Sequence, residues 1–133
     1  MKILMISIFC VLGFTGFSQT HKDTVNMLTG KWIVNDGWKF NPDFNLKEGF
    51  VEYELSPDYS AKVTYWHKSP LFKKWDFTNS VLKVHEDDTI PVGVSTSGDI
   101  YEHLVWVDKN RFYSKGTPDK SGSIHYFYFT RKQ

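Results

Sequence analysis

The side chains of this sequence that are best suited to hold a ligand are tyrosines at alternate positions of short β-type segments. In the run FVEYEL, for example, Val51, Tyr53 and Leu55 alternate with glutamates. Because successive residues of a strand point to opposite faces of a sheet, alternate spacing predicts that such side chains share one face. The residues that we assign to this tyrosine face are Val51, Tyr53, Val63, Tyr65, Tyr101, His103, Val105, Tyr126 and Tyr128.

A face of this composition has two interpretations. Tyrosines among aliphatic side chains would suit a ligand with a flat apolar body and a few polar groups. Alternatively, the same rings pack against one another as an ordinary core, because a barrel of eight strands can be filled by its own side chains. The first interpretation predicts these ligand-binding residues: Tyr53, Tyr65, Tyr101, His103, Val105, Tyr126 and Tyr128.

Histidines are the residues most suited to bind a metal ion or haem. Alternation places His67 and His103 on the tyrosine face, whereas His85 faces water and His125 shares the face of Phe127. Two inward histidines are too few for a closed zinc site, which needs four ligands. One axial histidine can hold haem, so haem stays an alternative, while the pattern favours a protein with no metal and no cofactor.

Catalytic and cation-binding motifs are weak or absent in the sequence. We interpret the acidic run 85–88 (HEDD) as a turn, because Asp is typical of turns and a calcium loop needs six or more oxygens. No Gly-x-Ser-x-Gly turn occurs, and the run 93–98 (GVSTSG) lacks the Lys of a phosphate loop. The sequence therefore predicts a non-enzymatic protein.

The elements that must position these residues are short strands. Beyond Gly30, runs of alternating residues are separated by turn residues every 8 to 15 positions or so, which indicates a β-sandwich or β-barrel. Short connections favour an up-and-down order, since consecutive strands usually pair. We predict an all-β fold: a small antiparallel up-and-down β-barrel of about eight strands with at most a short N-terminal helix. Its later strands include Ile90 to Ser95 and an unbroken Ile100 to Val107.

The long first connection, Asp36 to Lys47, is rich in aromatic residues. Trp38, Phe40 and Phe44 predict either an aromatic lid over the open end of the barrel or a loop packed down on the barrel itself. The sequence leaves both interpretations open.

Residues 1–18 have the pattern of a secretory signal peptide. Lys2 precedes an apolar run from Ile3 to Gly13, and small residues at Gly16 and Ser18 precede a predicted cut before Gln19. The apolar run is shorter than the roughly 20 residues of a membrane-spanning helix. We therefore expect an exported protein, periplasmic or secreted, whose single domain is 19–133 and which does not insert into a membrane after cleavage.

Removal of residues 1–18 changes the charge and the cysteine content. Lys2 is the only charge in that segment, so the 16 basic residues become 15 and equal the 15 acidic ones. A formally neutral chain gives no support to nucleic acid as a partner. Cys10 is the only cysteine, so the processed chain is expected to have neither a disulfide nor a thiolate metal site.

Two motifs at opposite ends of the domain carry a family resemblance. Leu28-Thr29-Gly30-Lys31-Trp32 places a Gly-x-Trp at the start of the first strand, and Phe129-Thr130-Arg131-Lys132 ends the last strand with a basic residue. This pattern resembles the lipocalin-like branch of the calycins. The resemblance implies that Trp32 lies at the closed end of the barrel, with Arg131 packed across it and Gly30 letting the backbone pass close to the floor. Gly30, Trp32 and Arg131 are thus the expected structural signature.

Together these patterns predict an exported, non-enzymatic binding protein that holds one small, largely apolar molecule in a β-barrel. The alternative is a filled barrel that acts through its outer surface, as an inhibitor or as a protein partner in envelope assembly.

Overall fold

The computed structural model describes residues 21–66, 68–86 and 99–133. The predicted signal peptide, His67 and the predicted strand Ile90 to Ser95 lie outside these residues. The described elements are a helix α1 (His21–Leu28) and the strands β1 (Gly30–Gly37), β2 (Val51–Leu55), β3 (Ser60–Tyr65), β4 (Leu71–Thr78), β5 (Val81–His85), β6 (Asp99–Tyr101), β7 (Leu104–Asp108), β8 (Arg111–Lys115) and β9 (Tyr126–Arg131).

All of these strands belong to one antiparallel sheet in the order β6-β5-β4-β3-β2-β1-β9-β8-β7. Strands that are neighbours in sequence pair with each other, except β6 and β7, and β1 pairs with β9. The sheet therefore curls into a nearly closed barrel with β6 and β7 at its two ends. This confirms the predicted all-β, up-and-down architecture with one short helix. Within the described residues, no helix is long and apolar enough to cross a membrane.

The prediction of one strand from Ile100 to Val107 is wrong, because this segment contains parts of two strands. β6 ends at Tyr101 and pairs with β5, whereas β7 begins at Leu104 and pairs with β8. Between them His103 has a φ of 49°, a left-handed conformation that ends an extended strand. The described barrel therefore has nine strands where the sequence predicted about eight.

The register of β1 defines which face of the sheet is the interior. Trp32 lies opposite Tyr53 on β2 and opposite Arg131 on β9. Val34 lies opposite Val51 and Phe129. Alternation then points the odd-numbered residues of β2 and β9 inward. The buried core includes Leu28, Trp32, Val34, Val51, Tyr53, Leu55, Val63, Trp75, Leu82, Val84, Phe112 and Phe129.

Helix α1 and the Trp32 region close one end of the barrel. The Trp32 indole N–H donates to the Leu28 carbonyl at 2.8 Å, and the Arg131 guanidinium lies 4.2 Å from the centre of the Trp32 ring. Arg131 also donates to the carbonyl oxygens of Thr29 and Met27, each at 2.9 Å. The expected packing of Arg131 across Trp32 is present, and a cation over an indole contributes roughly 0.5–2 kcal/mol.

Aromatic rings fill the interior above this floor. Phe112 meets the Trp32 ring edge-on at 4.8 Å and stacks on Phe129 at 4.3 Å. Phe129 in turn contacts the edge of Tyr101 at 4.9 Å. The closed half of the barrel is thus a packed core, and polar chemistry in the interior is concentrated in the other half.

The first connection packs against the outside of the barrel. Phe44 is buried and lies 4.9 Å from the ring of Tyr128. The Tyr128 hydroxyl donates to the Lys39 carbonyl and accepts the N–H of Asn41. The Leu46 N–H donates to the hydroxyl of Thr130. The lid interpretation is therefore wrong for Phe40 and Phe44, because β9 offers them an outward row of tyrosines to pack on.

Candidate functional site

The half of the barrel that lies away from α1, which we call the open half, carries six polar side chains on its inner face. We call them the tyrosine–aspartate cluster. They come from four strands and from the residue after β5, and alternation along each strand turns them inward beside buried apolar neighbours. Lys73, for example, has the same parity as the buried Trp75. The members of the cluster are Tyr53, Tyr65, Lys73, Glu86, Asp99 and Tyr101.

The carboxylate of Asp99 is the acceptor at the centre of the cluster. Its Oδ2 accepts the hydroxyl of Tyr53 at 2.7 Å and that of Tyr65 at 3.1 Å. The hydroxyls of Tyr53 and Tyr101 are 2.5 Å apart. A tyrosine hydroxyl has one proton, and Tyr53 uses its proton on Asp99, so Tyr101 is the donor to Tyr53. All three hydroxyl protons therefore point toward Asp99, directly or through Tyr53.

Lys73 and Glu86 form an ion pair beside this carboxylate. The Lys73 ammonium lies 3.2 Å from Glu86 Oε1, and it donates to the Tyr65 hydroxyl at 3.4 Å. Burial alone would lower the pKa of Lys73, but the hydrogen bonds to Glu86 and Tyr65 outweigh it and raise the pKa above its usual value. Lys73 is therefore an ammonium at neutral pH and carries no free amine for nucleophilic chemistry.

The tyrosines of the cluster stay protonated. Tyr53 and Tyr101 are only 1% and 2% exposed. Burial, followed by the charges of Tyr101 and Asp99, raises the pKa of Tyr53 far above its ordinary value. Burial and the Asp99 charge do the same to the pKa of Tyr101. The tyrosine hydroxyls of the cluster are therefore uncharged hydrogen-bonding groups at neutral pH.

A second polar group lies at the same end of the barrel. Asp36 follows Trp32 and Val34 on the inner side of β1, and its Oδ2 lies 2.7 Å from Nε2 of His125. The Trp38 ring stacks on the His125 ring at 4.5 Å. The charge of Asp36 also contributes to raising the pKa of Tyr101, so this carboxylate acts on the cluster.

The predicted tyrosine face is only partly correct. Tyr53, Tyr65 and Tyr101 do meet on the inner face, as do the apolar residues Val51 and Val63.

Tyr126 and Tyr128 were assigned to this face wrongly. Phe129 lies opposite the inward Val34, so the inward residues of β9 are Phe127, Phe129 and Arg131. A slip of one residue in the count moves a whole strand to the other face. Tyr126 and Tyr128 therefore lie outside, against the first connection.

Val105 and His103 also do not line the interior. Val105 pairs with Tyr113 on the outer face and is 41% exposed. His103 is exposed at the break between β6 and β7. Leu104 and Trp106 take the inward positions of β7 and pack against the core.

Of the remaining histidines, His85 lies as predicted. His125 shares the face of Phe127, as predicted, but that face is the inner one, so its expected place outside the interior is wrong. His85 lies outside, with Nε2 3.0 Å from Asp76 Oδ2, and His125 contacts Phe127 at 4.4 Å. In the part of the chain that the structure describes, no three His, Cys, Asp or Glu residues are grouped to hold a metal ion.

The charged members of the cluster are not predicted from the sequence. Asp99 follows Gly98 and has the pattern of a turn residue, and Glu86 belongs to an acidic run. Lys73 is of a residue type that usually lies at the surface. Its parity with Trp75 and Phe77 was the one available signal that it faces inward.

Comparison of the chain with known protein families, with curated proteins and with solved structures finds no match.

Proposed function

We propose that this protein is an exported, non-enzymatic binding protein that holds one small, largely apolar molecule at the open end of its barrel. The observation that carries the proposal is the tyrosine–aspartate cluster, which places a half-buried carboxylate inside the barrel at the end opposite the filled floor. Burying charged and polar groups opposes folding unless they are fully paired. Apolar side chains would fill the same space without this cost, so the presence of the cluster favours a role in recognition.

Apolar walls accompany this polar anchor. Phe50 and Phe127 are partly buried, pack against the core and lie 6.5 Å apart. Phe127 also contacts the edge of Tyr101 at 5.1 Å. A few convergent polar groups beside aromatic walls are typical of small-molecule sites.

Several properties of the cluster favour binding over catalysis. General acids and bases work best when their pKa lies near the operating pH. The raised pKa of Tyr53 and Tyr101 makes both hydroxyls poor proton donors to a substrate, and the raised pKa of Lys73 removes the free amine.

Export and the lipocalin-like resemblance belong to the same proposal. The pattern of residues 1–18 supports export. The packing of Arg131 over Trp32, next to a Gly30 in a left-handed conformation, supports the resemblance.

Titration with the uncharged fluorescent dye N-phenylnaphthylamine tests this function. We expect saturable one-to-one binding, weakened about fivefold or more by Phe127→Ala because that change removes an apolar wall. Val107→Ala is the control, since Val107 is an exposed apolar residue on β7. Absence of saturable binding, or equal weakening by both substitutions, would overturn the proposal.

One observation favours the alternative that the barrel acts through its surface. Trp66, Leu71 and Phe72 are exposed around the connection from β3 to β4, and Phe72 is 80% exposed. Exposed aromatic residues are enriched in protein interfaces. Under this alternative, a stoichiometric protein partner would be recovered with the wild-type chain and lost with Phe72→Ser.

A further inference from the structure

We propose that the ligand carries a primary amine, which binds as an ammonium to the carboxylate of Asp99 while its apolar body lies against Tyr65 and Phe127. This inference rests on the proposed function and specifies the chemical class of the ligand. Three features of the tyrosine–aspartate cluster and its surroundings lead to it.

The first feature is the direction of the hydrogen bonds. The Tyr101 hydroxyl donates its hydrogen bond to Tyr53, and the hydroxyls of Tyr53 and Tyr65 donate theirs to the Asp99 carboxylate. The cluster therefore presents acceptors rather than hydroxyl donors. An ionised carboxylate has about four lone-pair sites, and the two hydroxyls take about half of them. A ligand that donates hydrogen bonds can use the rest, whereas a carboxylate or phosphate ligand finds no hydroxyl proton to accept.

The second feature is the balance of charge in the open half. Among the residues that the structure describes, the tyrosine–aspartate cluster and the adjoining Asp36 carry three carboxylates, Asp36, Glu86 and Asp99, and one ammonium, Lys73. Lys73 is already held by Glu86 and Tyr65. His125 is bonded to Asp36, so even its protonated form would leave the carboxylates in excess. An anionic ligand would be repelled here, and a cationic one attracted.

The third feature is the aromatic lining next to Asp99. Tyr65 is partly buried and already has one ammonium near its face, since Lys73 Nζ lies 5.5 Å from the ring centre. Phe127 presents a second ring, which contacts Tyr101 of the cluster at 5.1 Å. Aromatic faces attract organic cations, and the attraction grows as water is excluded. A carboxylate flanked by such rings suits an ammonium attached to an apolar body.

The chemistry of the cluster argues against a covalent bond between Lys73 and a carbonyl ligand. Imine formation needs a neutral amine, whereas the ion pair with Glu86 keeps Lys73 protonated. The inference is therefore one of non-covalent recognition through Asp99.

Isothermal titration of the purified protein with three probes of one shape tests the inference. The probes are phenethylamine, phenethyl alcohol and phenylpropionate, which place a cation, a neutral hydroxyl or an anion on the same ring. We expect the amine to bind at least about tenfold more tightly than the alcohol, and the acid to bind most weakly of the three. Asp99→Asn should remove the preference for the amine and leave alcohol binding within about twofold.

Two further variants keep the test decisive. Asp43→Asn removes an exposed carboxylate from the first connection and should leave the amine preference intact. Tyr65→Phe keeps the ring but frees a lone pair of Asp99, so the amine should bind more tightly and alcohol binding should change less. This variant replaces Asp99→Asn if the latter does not fold, and unchanged or weaker amine binding would then count against the inference.

The outcomes separate this inference from the function on which it rests. If the alcohol and the dye bind but the amine binds no more tightly, or the acid binds equally well, the amine inference is overturned and the binding function stands. If Asp99→Asn retains the amine preference, Asp99 is not the anchor and the inference falls. If neither the dye nor any of the three probes binds, both proposals fall.

Discussion

Tyr53 and Tyr101 have different roles in the chain of hydrogen bonds that ends on Asp99. Tyr53 both donates to the carboxylate and accepts from Tyr101, so its hydroxyl is the junction of the chain. Tyr101 is the terminal donor. Both side chains are almost fully buried. Removing a hydroxyl that leaves buried partners unsatisfied destabilises a protein more than removing a terminal one.

This difference predicts unequal effects of two matched substitutions. Tyr53→Phe leaves the buried Tyr101 hydroxyl without its acceptor and takes from Asp99 the shorter of its two hydroxyl bonds, so it should reduce the free energy of unfolding by about 2–4 kcal/mol. Tyr101→Phe removes only its own donated bond and should reduce it by about 0.5–1.5 kcal/mol. Urea denaturation monitored by tryptophan fluorescence measures both values. An equal loss, or a larger loss for Tyr101→Phe, would contradict the assigned donor directions.

The same tyrosines predict how stability changes at alkaline pH. Burial raises the pKa of both residues in the folded state, whereas in the unfolded chain each ionises near pH 10. Their stabilising contribution is therefore complete below about pH 10 and is lost as the pH rises above it, by roughly 1.4 kcal/mol per pH unit for each tyrosine. Denaturation at about pH 9, 10 and 11 should show this decline.

A control separates the buried tyrosines from other groups that titrate in this range. Tyr101→Phe should reduce the slope by roughly the share of one tyrosine. A free energy of unfolding that stays flat from about pH 9 to 11 would show that the hydroxyls ionise as easily in the folded state as in the unfolded chain.

At the scale of elements, the junction of α1 and β1 depends on the backbone of Gly30. Its φ is 126°, a conformation that side chains rarely adopt, and a Cβ there would lie 2.6 Å from Nη1 of Arg131. The guanidinium could not keep its place over Trp32 beside such a methyl group. Gly30 therefore leaves room for Arg131, at the end of β9, to pack over Trp32 at the closed end of the barrel.

Two glycine substitutions test this junction. Gly122 also has a positive φ, 84°, but a Cβ there meets nothing within 4 Å. Gly122→Ala should therefore cost only the backbone strain, about 1–2 kcal/mol. Gly30→Ala should cost at least about 1 kcal/mol more, because the Arg131–Trp32 contact is also disturbed. Thermal unfolding measures the difference; equal melting temperatures would contradict this role of Gly30.

How far the sequence predicts the elements depends on the length of the connections. Tyr53 and Tyr65 belong to neighbouring strands joined by a tight turn, and alternation placed both correctly. The loop between β8 and β9 is longer, and parity cannot be carried across it, so Tyr126 and Tyr128 were assigned to the wrong face. The break at His103 depends on a single left-handed residue, which alternation does not indicate.

The charged part of the site is harder to predict for a physical reason. Lys73, Glu86 and Asp99 are residue types that usually lie at the surface. They are brought inward by the pairing of β3 to β6, and their charges are compensated only by one another. No local pattern in the sequence reports such compensation between distant residues.

At the scale of the whole molecule, the barrel has two unlike halves. The closed half is sealed by Trp32, Arg131 and the stacked Phe112 and Phe129. The open half carries carboxylates and tyrosine hydroxyls on its inner wall. The first half provides stability without a disulfide, and the second is the place where we propose that a ligand binds.

Amide chemical shifts during titration with N-phenylnaphthylamine test this division most directly. The account predicts saturable changes at the open end, at Phe50, Tyr65, Asp99 and Phe127. The amide chemical shifts of Trp32 and Phe112 at the floor should change no more than those of residues far from the proposed site. Changes centred on the floor or on the outer surface of the barrel, or none at saturating dye, would contradict the account.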